Sequence, residues 1–160
     1  MKHLHLSLGL AGALWCASGA ALAQPVVSYT RNGAPFADVR DDLKTAIEAR
    51  GFVVDYQAQI GSMLERTGKD VGSAKPLYVD AQSLQFCSAQ LSRRMMEADT
   101  ANVVMCPFTL VVYTTVARPQ QVVVAYRRPV RQGGSAASHA ALRELDKLLD
   151  ALAREAVGRK

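Results

Sequence analysis

The chain is poor in the residue types that announce catalysis. It has three histidines; His3 and His5 sit at its very start, which leaves His139 for all the rest. One histidine cannot make a His-based zinc site, and a Ser-His-Asp arrangement would have to be built on the segment around His139. There is no G-x-S-x-G nucleophile elbow and no Cys-x-x-Cys redox motif. The glycines of "GSMLERTGKDVG" do not form a phosphate loop. Met63 stands where the first glycine is required, and Asp70 where Ser or Thr must meet magnesium. Asp41-Asp42, with Asp38 and Glu48, reads as a solvated helix face rather than a convergent acid–base pair. Aromatics are scarce, at 6%. The formal charge of +5 is modest and spread along the chain, so it provides no clustered basic face for nucleic acid. No internal repeat or low-complexity tract is present.

What is there begins with "MKHLHLSLGLAGALWCASGAALAQ", a positive start, an apolar run from Leu4 to Trp15, and the small-x-small pattern Ala21-Leu22-Ala23. This is the layout of a secretory signal peptide spanning 1–23, cleaved after Ala23 so that the mature chain begins at Gln24. The apolar run is short for a membrane span and no basic stop follows it, so no transmembrane anchor is expected. Trp15 before Cys16 is too bulky for lipoprotein processing. The expected location is therefore the periplasm or the exterior. Cys16 leaves with the signal, and Cys87 and Cys106 remain. In an oxidising compartment an even pair reads first as a disulfide. Two alternatives stay open: a redox pair, and a soft-metal (copper) site of Cys87 and Cys106 with Met95, since thiolate and thioether suit Cu(I). Met95 and Met96 diverge on a helix, as Met105 and Cys106 do on a strand, so only one of each pair can join such a site.

Beyond the signal, Val26–Thr30 reads as a strand, and Phe36, Val39, Leu43 and Ile47 mark one face of a helix that stops at Gly51. Strands are expected over 52–56 and 77–86, a weak helix from Ile60 to Val71, and a helix over 88–98 with Leu91 and Met95 inward. The β-branched run 103–116 and the run 122–126 read as an antiparallel hairpin. "RQGGSAAS", 131–138, reads as a linker whose Ser138 caps a last helix, 139–157, with the stripe Leu142, Leu145, Leu149 and Leu152. The fold class expected is α+β, a single domain over 24–130 in which helices pack on a mostly antiparallel, curved sheet, completed by that last helix.

The stretches "FCSAQLSRRMM", "CPFTLVVY" and "VVVAYRRP", with Gly51-Phe52 and Asp99 in order, resemble the bacterial domain of unknown function family 302 over about 38–130. The two cysteines are similar to those of its secreted, two-cysteine branch. The resemblance implies a compact α+β domain with a curved antiparallel sheet. It implies no catalytic residues, because the family has no established activity.

The functional expectation is a non-enzymatic, secreted or periplasmic domain that binds a small apolar or amphipathic ligand or a protein partner. Phe86, Phe108, Tyr113 and Tyr126, on the central strands, are the candidate pocket residues. Arg127, Arg128 and Arg131 of "YRRPVR" are a candidate anion contact. A second class is a thiol-redox or copper accessory using Cys87 and Cys106. A third is an interacting protein that docks through its last helix, and the partner classes left open include a second copy in a homodimer. No metal or other cofactor is called for by the leading reading.

Overall fold

The computed structural model describes residues 25–73 and 75–159. The described residues form five strands and four helices. They are β1 (Val26–Asn32), α1 (Phe36–Glu48), β2 (Val54–Gln59), α2 (Ile60–Thr67), β3 (Tyr78–Phe86), α3 (Ala89–Ala98), β4 (Phe108–Thr115), β5 (Gln121–Arg127) and α4 (Ala136–Ala156), with a 3-10 turn over Thr100–Met105 before β4. The sheet has the order β1-β5-β4-β3-β2, and every neighbouring pair is antiparallel. It is open rather than closed into a barrel, and the domain is α+β, as the sequence predicts.

Local signals place the ends of the helices. Gly51 adopts φ +77°, the left-handed conformation that stops α1. Ser88 caps α3 by accepting the Leu91 amide at 3.4 Å. Alternation along the strands sends Leu84, Phe86, Phe108, Leu110, Val112, Val122, Val124 and Tyr126 to one face. There they meet Val39, Leu43 and Ile47 of α1, Leu91 and Met95 of α3, and the α4 stripe in one core. Helix α4 touches both α1 and α3 and lies between them. The Leu142, Leu145, Leu149 and Leu152 stripe is buried. The acidic face of α1 is solvated and locally paired, Asp41 with Arg40, Asp42 with Arg31, and Glu48 with Lys44. Among the described residues no helix is long and apolar enough to cross a membrane.

Several boundaries differ from the sequence reading: β2 covers Val54–Gln59 rather than 52–56, and α2 ends at Thr67 rather than Val71. Helix α4 starts at Ala136, and its cap is Ser135, whose hydroxyl accepts the Ser138 amide at 3.0 Å. Ser138 lies inside the helix and is buried, its hydroxyl turned to Asn102. Residues 103–105 form the end of a 3-10 turn rather than the start of β4, with Val103 and Val104 exposed. Asp99 initiates that turn by accepting the Ala101 amide at 2.9 Å, and this local bond outweighs the β preference of the valines. The segment expected to be a signal peptide, 1–23, lies outside the described residues.

Candidate functional site

The β4–β5 ladder is short. Its register joins Val111 with Ala125, Val112 with Val124 and Tyr113 with Val123. Beyond Val111 and Ala125 the strands part. β4 stays with β3, pairing down to Phe86 with Phe108, and β5 stays with β1, pairing down to Arg127 with Val26. The sheet is therefore split at one end, and a cleft of about 470 Å³ fills the split. Phe108 and Tyr126 line it from the two strands, with Leu145 and Leu149 from α4. Thr109, Val111, Ala125 and Arg127, from the opposite face of the strands, and Arg128 line its outer part. An apolar interior with a few polar groups at the mouth is the usual make-up of a small-molecule site.

The four aromatics of the sequence reading do not share one surface. Phe108 and Tyr126 line the cleft. Phe86 lies behind it, fully buried, edge-on to Phe108 and stacked on Phe52. Tyr113 is on the other face of the sheet, edge-on to Tyr78, because odd positions of β4 point away from the helices. The Tyr126 hydroxyl donates to Asp146 Oδ1 at 3.0 Å; burial first, and then this bond, push it far above the ordinary tyrosine range. A second tyrosine–carboxylate pair, Tyr29 with Asp150, ties β1 to α4 and raises the Tyr29 pKa as well.

The three arginines also separate. Arg127 and Arg128 reach the cleft, and Arg128 shares its charge with Asp146 at 3.3 Å. Arg131 is held elsewhere, by Asp99 at 2.6 Å and Asn102 Oδ1 at 3.4 Å. The Arg131 guanidinium, then the Ala101 amide, keep the Asp99 carboxyl below its usual range. His139 is half-buried, and its Nε2 donates to the Gly133 carbonyl at 2.7 Å.

The two cysteines lie at the other side of the β3–β4 end. Phe86 pairs with Phe108, so Cys87 just follows the last pair and Cys106 just precedes it. Both are free thiols, Cys87 exposed and Cys106 half-buried. Cys106 Sγ lies 3.1 Å from Ser92 Oγ. The Cys87 thiol is pushed up by burial, then by Cys106, with the Phe108 amide opposing. They line a groove of about 740 Å³ with Phe52, Asp55, Ser92 and Met96. Met95, the thioether of the copper alternative, is instead fully buried in the core, and its neighbour Met96 faces the groove, as the helical step of about 100° requires. Among the described residues there is no group of three or more His, Cys, Asp or Glu arranged to hold a metal.

The model of the family described as "Domain of unknown function DUF302" matches residues 27–156, from β1 through α4. The chain belongs to the DUF302 family. Its fold is similar to the crystal structure of an uncharacterized conserved DUF302 protein from Bacillus stearothermophilus, at 18% identity and a TM-score of 0.66. That match covers 81% of this chain and 97% of that one. No curated protein matches the chain. The DUF302 match extends the resemblance read from sequence at both ends, taking in β1 and the last helix. For this DUF302 domain the split sheet was not legible in sequence, since Phe108–Thr115 and Gln121–Arg127 read as one hairpin. The signal available was Pro107 and Pro129 flanking the two strands, since each lacks an amide for a ladder.

Proposed function

We propose that this is a secreted, non-enzymatic DUF302 domain of the two-cysteine branch. Its cleft between β4 and β5 takes a small amphipathic ligand with an acidic head. The observation that carries the reading is the split itself. Residues 108–110 and 126–127 have no ladder partner across the gap, and apolar side chains of the core line it. Leaving strand edges unjoined beside an apolar interior forfeits hydrogen bonds, each worth about 1 kcal/mol. A ligand that fills the cleft with an alkyl or ring portion would remove that apolar surface from water. Arg127 and Arg128 at the mouth favour a carboxylate or similar anion, and the bidentate geometry of arginine suits it. The size of the cleft falls within the range of small-ligand sites.

Lauric acid serves as the probe, titrated calorimetrically into the purified protein. Binding is expected, with dodecanol weaker by about tenfold for want of the charge. Arg127→Glu should weaken lauric acid by a similar factor. Thr109→Trp, at a half-exposed position on the cleft wall, should block it. No binding at millimolar probe, or binding indifferent to both substitutions, would exclude this site. Mass spectrometry of lipid extracted with the protein identifies the natural ligand class.

A further inference from the structure

At the end of the β3–β4 ladder the chain brings together two sulfurs far apart in sequence. Cys87 leaves β3 immediately after the Phe86–Phe108 pair, and Cys106 approaches β4 from the 3-10 turn on the other side of α3. Both line the same groove, and Cys106 is near enough to raise the Cys87 pKa. Ser92 Oγ lies 3.1 Å from Cys106 Sγ and fixes it from the α3 side. Cys87 is open to solvent, whereas Cys106 is half covered. Helix α3 is held at both ends, by the Ser88 cap and by the Asn102 amide on the Met95 carbonyl at 2.8 Å. The Phe86–Phe108 pair thus holds the two strand ends side by side.

We propose that Cys87 and Cys106 are a covalent modification site, a disulfide that joins the end of β3 to the start of β4 and forms part of the groove wall. The oxidant is a small or protein disulfide. Cys87, the accessible partner, attacks as thiolate. Its sulfur bonds to one donor sulfur, the donor S–S bond breaks, and the other donor sulfur leaves and takes up the proton that Cys87 gave to solvent. Cys106, after losing its own proton, then attacks the Cys87 sulfur of the mixed disulfide and expels the second donor sulfur. Two protein thiols are oxidised and one donor disulfide is reduced to two thiols. The groove gives a donor disulfide room to approach Cys87. At Cys87 burial and the second thiol raise the pKa against the Phe108 amide, so this thiol is not tuned as a reactive thiolate. The bond closes a chain loop that includes all of α3, so it stabilises the fold by restricting the unfolded chain. It forms whether or not the cleft between β4 and β5 takes a ligand.

The test uses the full chain with Cys16→Ser, which leaves Cys87 and Cys106 as its only thiols. The reduced protein is incubated natively with oxidised glutathione, and thiols are counted in denaturant with chelator. The expected result is no free thiol, no retained glutathione, and a linked pair of tryptic peptides that reduction separates. The oxidised form should melt about 5–15 °C above the reduced form, and Cys87→Ser/Cys106→Ser should melt with the reduced form. Two titratable thiols after oxidation, or glutathione retained on Cys87 with Cys106 free, would overturn the proposal. So would protein isolated from the periplasm with both thiols reduced and Cu(I) bound, which would make the pair a metal site.

Discussion

Asn102 is fully buried, and its amide is fully used. Nδ2 donates to the Met95 carbonyl at 2.8 Å and to Ser138 Oγ at 2.9 Å, while Oδ1 faces the Ser138 hydroxyl at 3.3 Å and Arg131 Nη1 at 3.4 Å. One side chain thereby pins the end of α3, the 3-10 turn and the first turn of α4. Asn102→Ala would leave the Met95 carbonyl and the Ser138 hydroxyl buried without that partner. The expected loss is about 2–4 kcal/mol by urea unfolding; a loss near zero would show that water replaces the amide. Nothing in "TANVVM" marks this role, because a buried asparagine and a surface asparagine look alike until the neighbours are known. Ser138 is the same case. It sits where a capping residue belongs, yet Ser135 caps and Ser138 bonds across to Asn102. Met95 and Met96 show the opposite: the helical step alone says that only one can face any given site, and packing then selects Met96 for the groove.

At the scale of elements, α4 is the clearest instance of a sequence pattern becoming packing. Its leucines recur at three- and four-residue steps, and the structure buries Leu142, Leu145, Leu149 and Leu152 against α1, α3 and the sheet. Leu145→Asp puts a charge into that core and should cost at least about 2 kcal/mol, whereas exposed Arg143→Ala should cost under about 0.5 kcal/mol. Paired thermal melts of the two variants check this, and equal melting points would mean that the helix does not contribute to the core. β4 is the counter-case. Its run of valines suggested a strand from residue 103, but Asp99 and Asn102 commit the first of those residues to a 3-10 turn, and Pro107 delays the ladder to Phe108. Strand propensity describes a residue's fit to a pleated surface and cannot report a competing hydrogen bond made by a neighbour.

For the whole molecule, the edge strand β1 bears on processing. It is the first described element, and its ladder with β5 begins at Val26, preceded by the Pro25 carbonyl accepting the Arg128 amide at 3.0 Å. Cleavage after Ala23 would leave every one of these bonds intact, whereas cleavage several residues later would strip the edge that β5 relies on. N-terminal sequencing of exported protein is expected to begin at Gln24; a start inside β1, or an uncleaved chain, would overturn the processing assignment.

Fold class, the order of elements, the α1 and α4 stripes, and the scarcity of catalytic groups all followed from the sequence by itself, because periodicity, glycine and proline act over a few residues. The tertiary structure alone decided where strands part, which arginine stays at the cleft and which is taken by Asp99, and that Phe108 and Tyr126 share a cleft while Phe86 and Tyr113 do not. It also decided that Cys87 and Cys106 meet. A strand–helix–strand unit can return parallel or antiparallel, and only the antiparallel return of β4 on β3 brings the two sulfurs to one end of the sheet.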